Sequence, residues 1–222
     1  MKKNLKTLFV GLSLIIYFVI WTILVVKIDV QPIGLNNTNV GFANLNSRFH
    51  DFTGVNFQIY NLTDWLGLIP IFICLAFAIL GLVQIIKRKS IFKVDLDIIL
   101  LGVYYILVIF FYLIFEVVPI NYRPTFINGF MEASYPSSTT LLVLSVMPTL
   151  SFQISRRLQS RIINKIVNVF VIVFSAFMVI GRLISGVHWL TDIIGSIFLS
   201  YGLFFIYKGV VLLVNKSDKE TL

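Results

Sequence analysis

Charge is scarce in this sequence. Asp, Glu, Lys and Arg make up 13% of its 222 residues, against 58% hydrophobic residues. With a mean hydropathy of +0.94, that balance excludes an ordinary soluble domain and indicates an integral membrane protein. There is a single cysteine, Cys74, inside an apolar run. One cysteine excludes an intrachain disulfide framework and a thiolate metal cluster. Histidine is nearly as rare, with two residues, His50 and His188. The net charge of +8 would suit a nucleic-acid partner, but the basic residues collect at the ends of apolar runs. They therefore read as topology signals.

What is abundant is apolar sequence in long runs, at about 8–26, 66–86, 97–118, 138–152, 166–180 and 190–214. A helix needs roughly 20 apolar residues to cross the hydrocarbon core. The fold class expected is therefore all-α, a polytopic bundle of six transmembrane helices forming one membrane domain over residues 1–222. The first run ends Val25-Val26-Lys27, without small residues at a cleavage site, so it reads as an uncleaved anchor. Pro70 sits in the first turns of the second run, and Pro148 predicts a kink in the short fourth. Residues of about 28–63 are polar and turn-rich and read as a long outer loop, with Phe52 to Tyr60 on the bilayer surface and Trp65 at the interface.

Six spans put both termini on one side. Of the 18 lysines and arginines, only Lys27, Arg48, Arg123 and Arg182 then fall on the other side. By the positive-inside rule the termini are cytoplasmic and the protein is expected in the cell membrane. The basic clusters at Lys87–Lys93 and Arg156–Lys165 set this topology and touch anionic headgroups.

Two of the four outlying cations lie in polar clusters. Three segments fall on the outer side: Tyr122-Arg123-Pro124, Tyr135-Pro136-Ser137-Ser138-Thr139-Thr140, and Arg182 with His188 and Asp192. On a helix beginning near His188, the i, i+4 spacing puts the imidazole and the Asp192 carboxylate on one face. A carboxylate that accepts the Nδ1 proton leaves Nε2 free as a nucleophile. Gly186 permits the tight turn before that helix. Arginine forks match phosphate oxygens. Ser137, Ser138 and Thr139 open the fourth span, where free backbone N–H groups and hydroxyls favour an anion.

These residues resemble the type 2 phosphatidic acid phosphatase (PAP2) superfamily of membrane phosphatases. The family pattern is Lys-x6-Arg-Pro, then Pro-Ser-Gly-His, then Ser-Arg-x5-His-x3-Asp. The third element matches as Arg182-x5-His188-x3-Asp192, with Gly181 for the leading serine. The first keeps only Arg123-Pro124, with Glu116 at the lysine position. The second reads Pro136-Ser137-Ser138-Thr139, with threonine at the histidine position. The motif-bearing region is thus about 116–192. The resemblance implies a lipid phosphatase acting at the outer face through a phosphohistidine on His188, with Asp192 orienting the ring. Arg123, Arg182, Ser137, and the amides of Ser138 and Thr139 would bind phosphate. It implies no metal and no cofactor.

The family's second histidine protonates the leaving group, and a threonine hydroxyl is too weak an acid to replace it. General acid help is worth about 10²–10⁴-fold. A phosphate leaving group needs less of that help than an alkoxide, so a polyprenyl diphosphate is expected over a phosphatidate. Glu116, Glu132 and His50 remain open as substitute acids, and Glu116 as an ion-pair partner of Arg123. The alternative function is a PAP2-like protein that binds lipid phosphates, or serves in a membrane complex, without turnover. The enzyme reading predicts His188, Arg123, Arg182 and Ser137 around one outward-opening pocket.

Overall fold

In the computed structural model, residues 2–220 are described, with side chains described for 4–214. Lys2, Lys3, Lys216 and Lys219 of the basic set lie outside the described side chains. Among the described residues there are eight α-helices: α1 Lys2–Lys27, α2 Ala43–Thr53, α3 Phe57–Leu66, α4 Leu68–Arg88, α5 Leu96–Val117, α6 Ser138–Arg157, α7 Arg161–Ile184 and α8 Leu190–Glu220. Six helical segments are long and apolar enough to cross a membrane, α3 and α4 counting as one. The protein is a multi-pass membrane protein. The helices alternate in direction, so α4, α6 and α8 begin at one end of the bundle, where α1, α5 and α7 finish.

The fourth and fifth spans are longer than the apolar runs that announce them. Helix α6 passes through Pro148 and continues to Arg157. Its polar residues Ser145, Thr149 and Gln153 are fully buried, one per turn on the face that meets α5. Tyrosines of other spans meet this face. The Tyr104 hydroxyl donates to the Ser145 carbonyl at 3.0 Å, and the Tyr105 and Thr149 hydroxyls are 2.7 Å apart. At the basic end, Asp97 of α5 receives Arg156 and Arg157 at 3.3 and 3.0 Å.

Helix α8 is the centre of the bundle and packs on α1, α5 and α6. Its tightest crossing is with α1, where a Cβ on Gly11 would stand 2.9 Å from the Gly202 carbonyl oxygen. Lipid tails offer helices no hydrophobic drive to associate, so close approach at small residues supplies van der Waals contact instead. Large apolar side chains of α4, α5 and α7 face outward, such as Phe72, Ile106 and Ile172, as lipid-facing surfaces do.

The segment expected as a loop holds α2 and α3. Phe52 and Trp65 are strongly exposed, as residues at the membrane surface are. Helix α3, however, packs against the end of α7, with Thr63 fully buried. It therefore covers the end of the bundle that carries the motif residues.

Candidate active site

The turn between α7 and α8 positions His188. Gly186 there has φ +66°, and the Gly54 carbonyl oxygen lies 1.8 Å from where a Cβ would stand. Only glycine fits both conditions. Asn56 N–H donates to the Ser185 carbonyl at 2.9 Å, which joins the loop before α3 to this turn. Helix α8 starts at Leu190 rather than at His188. The nearness of Asp192 therefore comes from capping. Its Oδ2 accepts from the Trp189 backbone N–H at 2.9 Å, and Asp192 N–H returns a bond to the Trp189 carbonyl at 3.1 Å. This reciprocal capping geometry brings Oδ2 to 3.5 Å from His188 Nδ1.

Neighbouring elements pin this helix start. Asn46 of α2 donates to the Thr191 hydroxyl at 3.0 Å. The Trp21 indole N–H donates to the Thr191 carbonyl at 3.1 Å. The Ser196 hydroxyl contacts the carbonyls of Ser137 and Asp192 at 3.0 and 2.9 Å. These bonds hold the start of α6 against α8. Ser137 caps α6 by position, but its hydroxyl makes no capping bond and is buried without a partner.

The loop from α5 to α6 brings Arg123. Isolated backbone bridges pair Tyr122 with Ala133 and Ile127 with Phe130, and the loop turns at Asn128 and Gly129, both with positive φ. Asn-Gly is the sequence signature of a two-residue hairpin turn. The Arg123 N–H donates to the Glu132 carbonyl at 3.0 Å, and the side chains of the two pair at 3.1 Å. The ion-pair partner of Arg123 is thus Glu132 and not Glu116, which is exposed at the end of α5.

Arg182 lies beside His188, with Nη2 3.5 Å from Nε2. A guanidinium can only donate, so the nitrogen facing it is the lone-pair nitrogen, and Nδ1 carries the proton towards Asp192. Burial first, and then the charges of Arg123 and Arg182, holds the His188 pKa well below its ordinary 6.5. The ring is neutral at neutral pH. Arg123 Nη1, Arg182 Nε, the Ser137 hydroxyl and one Asp192 oxygen are all buried without a hydrogen-bond partner. Buried polar groups are seldom left so, and the donors among them suit a bound oxyanion.

Helix α3 supplies residues that carry no motif. The Tyr60 ring lies 4.7 Å from the Arg182 guanidinium and 5.8 Å from that of Arg123. Asp64, one turn on, reaches Arg182 at 3.6 Å, and Thr63 reaches it at 3.5 Å. Their i, i+4 spacing puts Tyr60 and Asp64 on one face of α3, but no sequence signal ties that face to Arg182. Among the described residues, no group of His, Cys, Asp and Glu is arranged to hold a metal ion.

The structure thus brings His188, Asp192, Arg182, Arg123 and Ser137 to one end of the bundle. Ser138 and Thr139 stand in the first turn of α6, Thr139 beside Gly67 at the α3–α4 junction. His50 stacks obliquely on Trp189 at 5.6 Å. The expected outward opening is absent: Arg182 is 1% and His188 3% exposed. Tyr60 covers the arginines and the two carboxylates occupy them, so the site is shut.

The sequence matches the PAP2 superfamily over residues 71–215. Among solved structures, the chain is similar to the crystal structure of the first transmembrane PAP2 type phosphatidylglycerolphosphate phosphatase from Bacillus subtilis. The TM-score is 0.66 at 18% identity, covering 92% of this chain and 96% of that one. At this identity the likeness is one of fold. A comparison with curated proteins gives no match. Because the family match spans well over half the sequence and takes in all three motif segments, the chain belongs to the PAP2 superfamily.

Proposed function

We propose that the protein hydrolyses a lipid diphosphate of the polyprenyl type at the outer membrane face, by double displacement through His188. The observation that carries this reading is the neutral imidazole held between Asp192 and Arg182, beside buried donors that lack partners. In the first step Nε2 attacks the terminal phosphorus. The bond to the bridging oxygen breaks, and the lipid monophosphate leaves. The arginines, Ser137 and the first amides of α6 receive the charge on the equatorial oxygens. Asp192 balances the imidazolium that forms. Water then attacks the phosphohistidine, releasing inorganic phosphate and restoring the ring.

Thr139 directs the choice of substrate. It offers no acid for an alkoxide, whereas a lipid monophosphate leaves unaided. The test is phosphate release by purified protein from a polyprenyl diphosphate, from phosphatidate and from phosphatidylglycerolphosphate, beside His188→Ala. The expected result is turnover of the diphosphate well above both monoesters, lost in the variant. Equal rates would refute the diphosphate preference, and wild-type rates in the variant would refute the mechanism.

A second reading, lipid-phosphate binding without turnover, draws on the carboxylates of Asp64 and Glu132 that occupy both arginines. Saturable binding with no phosphate release from any of the three lipids would establish it.

A further inference from the structure

A cavity of about 650 Å³ opens between α6, α7 and α8 in the half of the bundle away from His188. Helix α7 packs mainly on α6 and α3 and meets α8 only loosely, so the walls stand apart. Ile172 on the rim is largely exposed, which places the mouth on the lipid-facing surface. The walls are not uniformly apolar. Ser151, Ser155, Asn168, Ser175 and Lys208 line them. The Ser175 hydroxyl is buried and has no hydrogen-bond partner.

Lys208 lies within the sixth span. Among the described residues it forms no salt bridge; its ammonium rests 5.6 Å from the Phe152 ring. Arg156 reaches the same ring at 5.5 Å. Two cations therefore converge on Phe152, and only Arg156 has a carboxylate partner, Asp97. A lysine inside a span is costly unless an anion or water meets it.

We propose that this cavity is a resident binding site for an anionic phospholipid, its phosphate on Lys208 beside Arg156 and one acyl chain running on towards Val179 and Ile197. Basic pockets between spans on the positive side of a membrane protein are suited to such headgroups. Lys208 lies about 27 Å along α8 from its first residue, Leu190, at 1.5 Å per residue, and His188 stands just before that start. The site is therefore separate from the phosphate donors described above and independent of any chemistry there.

The experiment is native mass spectrometry of the full chain in uncharged detergent, given equal palmitoyl-oleoyl phosphatidylglycerol and phosphatidylcholine. One phosphatidylglycerol should be retained with a preference of roughly five-fold, the value of about one basic contact. Lys208→Arg should keep the preference and Lys208→Gln abolish it. Ser175→Trp, which fills the cavity, should expel the lipid, and Arg182→Gln should leave retention as in wild type. Equal retention of the two lipids would overturn the proposal. So would loss in Arg182→Gln with no effect of Lys208→Gln, which would put the lipid beside His188. Should the tryptophan variant not fold, the lysine pair decides alone.

Discussion

Replacing Asp64 with asparagine should tighten phosphate binding. In the shut site its carboxylate stands 3.6 Å from Arg182, and an incoming phosphate must displace it. With an effective dielectric of 20 the pair would be worth about 4.6 kcal/mol. The Asp64 side chain is 59% exposed, so solvent screens it, and a water-like dielectric gives about 1.2 kcal/mol. Some side-chain entropy is recovered when the pair opens, which leaves about 1 kcal/mol and a five-fold effect. The KM for the lipid diphosphate should fall about five-fold in Asp64→Asn, and the Ki of inorganic phosphate should fall by a similar factor. The kcat should hold, since asparagine keeps the shape and α3 stays in place. The assay is steady-state phosphate release in mixed micelles, with inhibition by phosphate measured alongside. A fall in kcat with KM unchanged would refute the reasoning, and would mean that Asp64 acts on the leaving group rather than competing with it.

Thr139→His should raise phosphatidate turnover by about 10²-fold, the low end of general acid assistance, while diphosphate turnover changes little; rates of the two substrates in one preparation test this. Because the folded protein keeps His188 neutral and the unfolded chain protonates it near 6.5, the stability this lends is complete above pH 6.5 and is lost as pH falls towards the depressed value. The acid limb of kcat/KM should therefore lie below pH 6.5, and the thermal midpoint should decline on the same side; a limb at or above 6.5 would contradict the buried neutral ring. Gly186→Ala should destabilise the protein by about 3 kcal/mol, from its positive φ and the overlap with the Gly54 carbonyl, read as a lowered melting temperature in detergent.

The number of spans was legible because hydrocarbon thickness dictates run length. Their ends were less so. Hydropathy counts Ser145, Thr149 and Gln153 against α6, although all three are buried and the side chains of Thr149 and Gln153 bond to tyrosines of other spans. Arg182, His188 and Asp192 could be read from spacing, since one turn and one helix start hold them. Tyr60 and Asp64 could not be read that way, because their nearness to Arg182 depends on how α3 folds back over α7. Glu132 opposite Arg123 was only half within reach: Asn128-Gly129 marks a hairpin turn, but counting outwards from the Ile127–Phe130 pair sets Arg123 against Ser134, and the observed register, with Tyr122 opposite Ala133, is displaced from that by two residues. The expected open pocket failed because sequence does not tell which element covers a site.

That cover has a consequence for selectivity. A headgroup reaches the imidazole only when Tyr60 and Asp64 swing off the arginines, and parting them costs free energy that the phosphate alone recovers poorly. On the proposed mechanism, a long hydrocarbon tail settling among the spans would supply the remainder. On the mechanism proposed above, short water-soluble phosphate esters should be turned over poorly, and the cover would keep stray water from the imidazole until a lipid had arrived.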